Sequence, residues 1–444
     1  MIYHHISEII GRTPLLRIAP EVHGLPRVEL YAKLELFNPF GSLKDRMAWA
    51  MLRDEIPALQ IAPKTVLESS SGNTAKGLAV LAGVHGLTFK TITNRINVPE
   101  VKKILKIIGA EIVELPGVSE CPDPSDPNNP LAEIEREMVR RPDCYLHTSQ
   151  YTNLKNPQAH YDSTGREIYD DLGEVDFLFG TLGTTGSTRG IAAFLKERYP
   201  ALVSVGVIAA KGDFIPGIRN VDEMQEVGIF ERSRYDHILA VDSAEAIEDM
   251  LLLVRRCGVL CGPTSGAALR GALSFLRPLA PSFQVVKKAV VIICDRLEWY
   301  ISYIEKRRPD LFAEHHGPGH SGVRAFKLAP DARPPEMPVT EAVAWVAAHH
   351  PLIVDLRGAL GFRAGHIAGS LNLVDSIFED LLDRGIPFSL GQKVLLVCPS
   401  GDRSARYAAF LREKGVEAYS LQGGLMAWRD AGLPLERRWE RVPE

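Results

Sequence analysis

The stretch VDFLFGTLGTTGSTRGIAAFLKERY, residues 175–199, reads as an apolar strand, a turn of glycine and hydroxyl residues, and an amphipathic helix. That order is the repeating unit of an α/β fold. The same alternation runs from residue 28 to about 300. Apolar runs VELYAKLEL, TVLESS, VSVGVIAA and AVVIICD are interleaved with helical runs such as VPEVKKILKIIGA. They predict a three-layer α/β sandwich with a mainly parallel sheet. Within the turn at 180–190, glycines let backbone N–H groups close on a phosphate at the helix N-terminus, and Thr184, Thr185 and Ser187 add hydroxyl donors. The turn matches neither G-x-G-x-x-G nor a Walker loop.

Composition bounds the function classes. The 444 residues carry 51 basic and 55 acidic side chains, a formal charge of −4, so nucleic acid is not an expected partner. No apolar run is long enough to span a bilayer, and MIYHHISEIIGRTPLL lacks the build of a secretion signal. A cytoplasmic protein is expected. The six cysteines show no CxxC pairing, which predicts neither a disulfide framework nor a metal site. The Gly-, Pro- and His-rich segment from 313 predicts a linker, giving domains 1–312 and 338–444 around a linker 313–337. In the second domain PLIVDLR, KVLLVC and EAYSLQ read as strands, and SARYAAFLREKG as a helix closed by Gly415. ECPDPSDPNNP, 120–130, reads as an exposed loop.

Two more turns carry chemistry. FNPFGSLKDR, 37–46, places Lys44 in an apolar loop where a dry pocket would lower its pKa and free its amine for imine formation. ESSSGNTAKG, 68–77, offers Ser70, Ser71, Gly72, Thr74 and helix N-terminal N–H groups to a carboxylate. Singly, each turn also fits an ordinary helix start.

In order along the chain, GRTPLL, NPFGSLKDR, SSSGNT, SQYTNLKNPQAHY, GTLGTTGSTRG and CGPTSGAAL resemble the fold-type II pyridoxal-phosphate enzymes, most closely the cysteine synthase and cystathionine β-synthase group, over roughly residues 5–305. The resemblance implies two three-layer α/β subdomains, a homodimer and pyridoxal 5'-phosphate as cofactor. It implies that Lys44 carries the cofactor, that Gly183, Thr184, Thr185, Gly186 and Ser187 cradle its phosphate, and that Asn73 meets its ring hydroxyl. Thr264 would face the ring nitrogen; a neutral partner there makes the ring a weaker electron sink and favours β-elimination. Ser70, Ser71, Gly72, Thr74 and Gln150 would hold the substrate carboxylate. Where the family often has a glycine-rich turn, this chain has FIPGIRN, 214–220. Its Arg219 either pairs with an anionic substrate or is an exposed loop residue.

In VLLVCPSGDRSARYAAF a strand ends at Cys398 and a helix starts near Ser404. Loop N–H groups, the helix end and Arg403 all favour a thiolate. With VDLRGALGFRAGHIAGSLNL and LQGGLMAWRDAGLPL the segment resembles single-domain rhodaneses, whose loop cysteine carries a persulfide. The loop from Cys398 to Arg403 is one residue shorter than the C-x5-R loop of related phosphatases, which favours sulfur over phosphate. Asp355, Arg357 and His366 match framework positions.

The combination predicts β-replacement on O-acetylserine or O-phosphoserine with sulfur relayed from Cys398, forming cysteine or its persulfide. Its partners are then a small amino acid and a sulfur donor. Two alternatives stand: an amine or thiol nucleophile, as in 2,3-diaminopropionate or cystathionine formation, or a rhodanese unit acting only as a sulfur carrier or regulatory module.

Overall fold

The computed structural model describes residues 2–94, 96, 98–116, 128–220, 223–224, 227–312, 323, 326, 333–389 and 391–437. The chain divides into two compact units, Met1–Ala313 and Glu314–Glu444. In the first, ten strands follow in chain order: β1 (Leu15–Ile18), β2 (Val28–Leu34), β3 (Thr65–Glu68), β4 (Phe89–Thr93), β5 (Glu111–Glu114), β6 (Tyr145–His147), β7 (Phe177–Thr181), β8 (Val203–Ala209), β9 (His237–Val241) and β10 (Lys287–Ile293). They form a six-stranded sheet, β1-β2-β10-β7-β8-β9, and a four-stranded sheet, β5-β4-β3-β6. Every pair is parallel except β1 with β2.

The central strand β10 shows why layers form. Ala289, Val291 and Ile293 join one apolar cluster with Leu269 and Ala272 of the helix Pro263–Leu276. The alternate residues Val290 and Ile292 join a second, with Ile191, Phe194 and Leu195 of the helix Gly186–Arg198. A period of two thus buries both faces, each under its own helix, which is how a parallel sheet comes to read as an unbroken apolar run. Two of the turns that carry the predicted chemistry leave the carboxyl ends of strands, Ser69–Gly72 after β3 and Leu182–Thr185 after β7, and Cys294–Asp295 likewise follows β10. Ligands of open parallel sheets sit at those ends.

The second unit is a parallel sheet, β11-β15-β14-β12-β13, built from β11 (Glu336–Met337), β12 (Leu352–Asp355), β13 (Leu371–Asn372), β14 (Lys393–Val397) and β15 (Glu417–Leu421). Val394 and Leu396 face Tyr407 and Phe410 of the helix Asp402–Glu413, while Leu395 and Val397 face Leu425 and Trp428. That helix begins two residues before the expected Ser404, because Gly401 takes the left-handed conformation at φ 96° and turns the chain early. Most of the expected linker 313–337 lies outside the described residues. Val323 and Phe326 nevertheless pack on the second core, and β11 opens at Glu336, ahead of the expected boundary at 338. Of the expected loop at 120–130, residues 120–127 lie outside the described set. Its last residue opens the helix Pro130–Arg140, capped by the Asn129 side chain, which accepts from the Leu131 and Ala132 N–H groups.

Candidate active site

Lys44 opens the helix Lys44–Leu52 on a loop fastened from several sides. The Leu43 N–H donates to the Cys294 carbonyl at the end of β10 (2.9 Å). Asp45 accepts from the Phe40 N–H (2.6 Å) and the Ser42 hydroxyl (3.1 Å). Arg46 donates to Glu35 through Nε (2.7 Å) and Nη2 (2.8 Å), and to Glu167 through Nη1 (2.6 Å) and Nη2 (2.8 Å). Burial pushes the Lys44 ammonium below the usual lysine range, against the opposing pull of Cys294 and Asp295. A lysine so placed offers a free amine at lower pH than an exposed one.

Around this amine a cavity of about 150 Å³ is lined by Ser70, Ser71, Gly72, Asn73, Thr74, Gln150, Gly183, Thr184 and Arg219. A smaller space shares Lys44, Asn73 and Gly183 and is lined also by Ser187 and Thr264. The Thr264 hydroxyl donates to the Pro216 carbonyl. The sequence-predicted residues that line neither space are Thr185 and Gly186, at the helix start beneath them.

The serine loop is held by a carboxylate that the sequence reading missed. Glu68, fully buried, accepts from the Ser69 N–H (2.8 Å), the Thr148 hydroxyl (2.6 Å) and the Gln150 N–H (3.1 Å). It thereby ties the exits of β3 and β6 together. Thr74 Oγ1 donates to Gln150 Oε1 (2.7 Å), closing the same wall. Asn156 does the equivalent work for the glycine loop, donating from Nδ2 to the Gln150 carbonyl (2.9 Å) and to Thr184 Oγ1 (3.0 Å). Both residues fall inside quoted motifs, yet no local signal marks them as tethers.

Arg219 is not an exposed loop residue. Only 6 % exposed, it lines the cavity, sets its guanidinium 5.0 Å above the Tyr151 ring and donates from Nη1 to the Glu223 carbonyl (3.1 Å). The cavity is completed by Ile96, Val98, Val101, Phe214, Ile218 and Tyr300, which the sequence reading did not single out. Another missed group is Asp295, at the end of AVVIICD, whose position after a buried strand was the available signal.

In the second unit Cys398 ends β14 with its sulfur buried. Sγ accepts from the Gly401 N–H (3.2 Å) and the Ser404 hydroxyl (3.2 Å). The loop carbonyls turn away: Cys398 O accepts from the Leu425 N–H (3.0 Å) and Pro399 O from the Met426 N–H (3.2 Å). Arg403 departs from expectation. Its side chain is 70 % exposed and Nη1 pairs with Asp375 at 2.6 Å, so a carboxylate neutralises the cation expected to serve the thiol. Asp355 grips Arg357 (2.7 Å), and His366 donates from Nδ1 to the Phe362 carbonyl (2.9 Å) and stacks on the Phe362 ring at 3.8 Å. These contacts are internal to the framework. Among the described residues no cluster of His, Cys, Asp and Glu could hold a metal ion, and no helix is long and apolar enough to cross a membrane.

Two turns at strand ends around a half-buried lysine match the build of the fold-type II class, and comparison with known proteins makes that specific. The family profile "Pyridoxal-phosphate dependent enzyme" matches residues 6–295, and "Rhodanese-like domain" matches 339–431. The chain belongs to the pyridoxal-phosphate dependent enzyme family and ends in a rhodanese-like domain. Cysteine synthase B of Pseudomonas aeruginosa is 33 % identical over 302 residues, covering 68 % of this chain and 96 % of its own. Cystathionine beta-synthase of Apis mellifera is 32 % identical over 315 residues, covering 67 % of this chain and 60 % of its own. Among solved structures, a hydrogen sulfide-producing enzyme from Fusobacterium nucleatum aligns with TM-score 0.60 and 29 % identity, over 68 % of this chain and 100 % of its own.

The enzyme is therefore pyridoxal-phosphate dependent, and the site fits the cofactor. Thr185 sits at φ 70°, in the left-handed region, with its hydroxyl buried and without a partner among the described residues. A Cβ on Gly183 would stand 2.5 Å from the Gly217 carbonyl oxygen, and one on Gly186 2.0 Å from Asn156 Oδ1. A strained, hydroxyl-bearing turn with no room for a Cβ at these two points, at the start of a 13-residue helix, fits a phosphate group.

Proposed function

We propose that this enzyme replaces the β-substituent of an activated serine, O-acetylserine or O-phosphoserine, with sulfur, forming cysteine or its persulfide. The observation that carries the reading is the convergence of Lys44, the serine loop and Arg219 on one small cavity. Lys44 would attach the cofactor, the 183–187 turn would hold its phosphate, Asn73 its ring hydroxyl and Thr264 its ring nitrogen. Bound there, the cofactor supplies the electron sink that no side chain provides. Ser70, Ser71, Gly72, Thr74 and Gln150 bind the substrate carboxylate and fix the α-carbon beside Lys44. The Lys44 amine, its pKa depressed by burial, removes the α-proton and returns it after the nucleophile has added. Ile96, Val98, Val101, Phe214 and Ile218 keep water out. Arg219 meets the anionic leaving group or nucleophile. If Arg219→Ala leaves kcat/KM for both serine esters unchanged, that role is wrong.

Cys398 supplies the sulfur. Its thiolate takes a sulfane sulfur from a donor and releases the remainder, sulfite when the donor is thiosulfate. Two thiol equivalents reduce the resulting persulfide to the Cys398 thiol and free sulfide for cysteine formation, leaving as a disulfide; sulfide that instead takes the outer sulfur releases the Cys398 thiolate and departs as hydrodisulfide, whose addition gives the persulfide product. Joining both sites in one chain raises the local concentration of one at the other, to the order of millimolar. With sulfane-labelled thiosulfate, a reducing thiol and O-acetylserine, labelled cysteine should form in the parent and fall to background in Cys398→Ser. Equal rates would exclude the relay.

The capture of Arg403 by Asp375 favours a second reading, in which the rhodanese unit is a sulfur carrier or regulatory module beside an amine- or thiol-using synthase of the 2,3-diaminopropionate or cystathionine type. A nucleophile panel with product mass spectrometry separates the two. The reading places the enzyme in the cytoplasm as a homodimer; sedimentation of the pure protein as a monomer would remove the second element.

A further inference from the structure

Behind the cavity lies a set of hydrogen bonds that the roles above leave unused. Asp295, 2 % exposed, follows β10. Its Oδ2 accepts from Asn73 Nδ2 at 2.7 Å and from the Tyr300 hydroxyl at 2.5 Å, and Asn73 Nδ2 also reaches that hydroxyl at 3.2 Å. Two distant parts of the chain, the helix Asn73–Val84 and the segment from the end of β10 through the turn Leu297–Tyr300, thus close one triangle. Asp295 Oδ1 is buried without a hydrogen-bond partner among the described residues, 2.5 Å from where a Cβ on Gly262 would stand. The carboxylate lines the inner space with Lys44, Ser187 and Thr264, while Tyr300 lines the substrate cavity.

A buried carboxylate is kept only where something uses its charge. An amide has two N–H groups. With the amide nitrogen held by Asp295 and the Tyr300 hydroxyl, the carboxylate fixes the plane of the Asn73 amide and so dictates how it faces a ligand. We propose that Asp295 is a positioning residue of the cofactor site: it orients Asn73 toward the ring hydroxyl and, as a fixed negative charge, holds the bound cofactor in its protonated, long-wavelength form.

The inference rests on the cofactor site as assigned above. Facing Asp295 are the ammonium groups of Lys44 and Lys76, the Tyr300 phenol, and the thiols of Cys294 and Cys261. Burial pushes its carboxyl up to about 6, against the opposing pull of Tyr300, Lys76, Asn73 and Lys44. The charge is therefore present at neutral pH and lost below about 6.

The test loads the apoproteins of the parent, Asp295→Asn and Tyr300→Phe with pyridoxal phosphate, then reads the dissociation constant and the visible spectrum from pH 5 to 9. The parent spectrum should change around pH 6. In Asp295→Asn that change should vanish and the dissociation constant should rise at least ten-fold; in Tyr300→Phe it should rise two- to three-fold. A folded Asp295→Asn protein with parental affinity and a parental pH curve overturns the proposal. Should Asp295→Asn not fold, Tyr300→Phe decides, and parental values there overturn it equally. A parent that takes up no cofactor would instead sink the site assignment itself.

Discussion

Arg46 is the keystone of the loop that presents Lys44, and its replacement by methionine has a size that can be worked out. Methionine keeps an apolar stem of similar length and removes the fork that binds Glu35 and Glu167. Glu35, fully buried, would retain only the Thr13 hydroxyl (2.6 Å) and the Asn38 amide (3.0 Å). Stripping one partner from a buried ion pair costs about 3–5 kcal/mol. Unfolding entropy of about 2.1 cal/mol/K per residue, over the 313 residues of the first unit, makes 1 kcal/mol worth about 1.5 °C. Calorimetry of Arg46→Met at pH 8 should therefore show that unit melting roughly 5–8 °C early.

The pH dependence has a defined sign. Burial alone would raise the Glu35 carboxyl; the Arg46 guanidinium outweighs it and holds the group below its ordinary value of 4.5. In the parent this contribution is complete above 4.5 and is lost as pH falls through the folded-state pKa. In the variant burial prevails, the folded-state pKa lies above the unfolded one, and protonation on folding returns stability as pH falls. The melting gap between parent and variant should thus narrow from pH 8 to pH 5. A loss under ~2 °C at pH 8, or a gap indifferent to pH, would refute this account of the network.

The depressed pKa of Lys44 predicts that the apoprotein takes up pyridoxal phosphate at a rate that climbs with pH and reaches half its maximum below 10.5; a midpoint at 10.5 would contradict the dry pocket. Because the unfolded chain then binds more protons between the two pKa values, the apoprotein should also gain stability as pH rises across that interval. In the second unit, Asp375→Asn frees Arg403 and should raise kcat/KM for thiosulfate in a cyanide sulfurtransferase assay roughly two- to five-fold, the worth of an exposed ion pair. A constant or lower value would show that the guanidinium does not serve the donor.

Much of the site was legible because its chemistry is local. A turn that offers N–H groups to a phosphate writes its glycines and hydroxyls side by side, as GTLGTTGS does, and a helix start is marked by its own small residues. Cys398 was legible for the same reason. What stayed hidden depends on distance along the chain: Asn73 meets Asp295 across 222 positions, and Thr148 meets Glu68 across 80. No periodicity encodes such pairs. The pairing of Arg403 was hidden for the same reason, since Asp375 lies 28 residues upstream and competes for a cation that local spacing assigns to the sulfur.

The way the second unit's loop is fastened has an outcome for descent. Gly424 sits at φ 61°, and a Cβ there would lie 2.3 Å from the Cys398 carbonyl oxygen. A lineage that exchanged this glycine for any other residue would force the oxygen round, and its lone pairs would face the sulfur in place of donors. The thiol and its neighbours would remain in the sequence while the proposed capacity to carry sulfur was lost, so on that reading position 424 marks a working module better than the cysteine does.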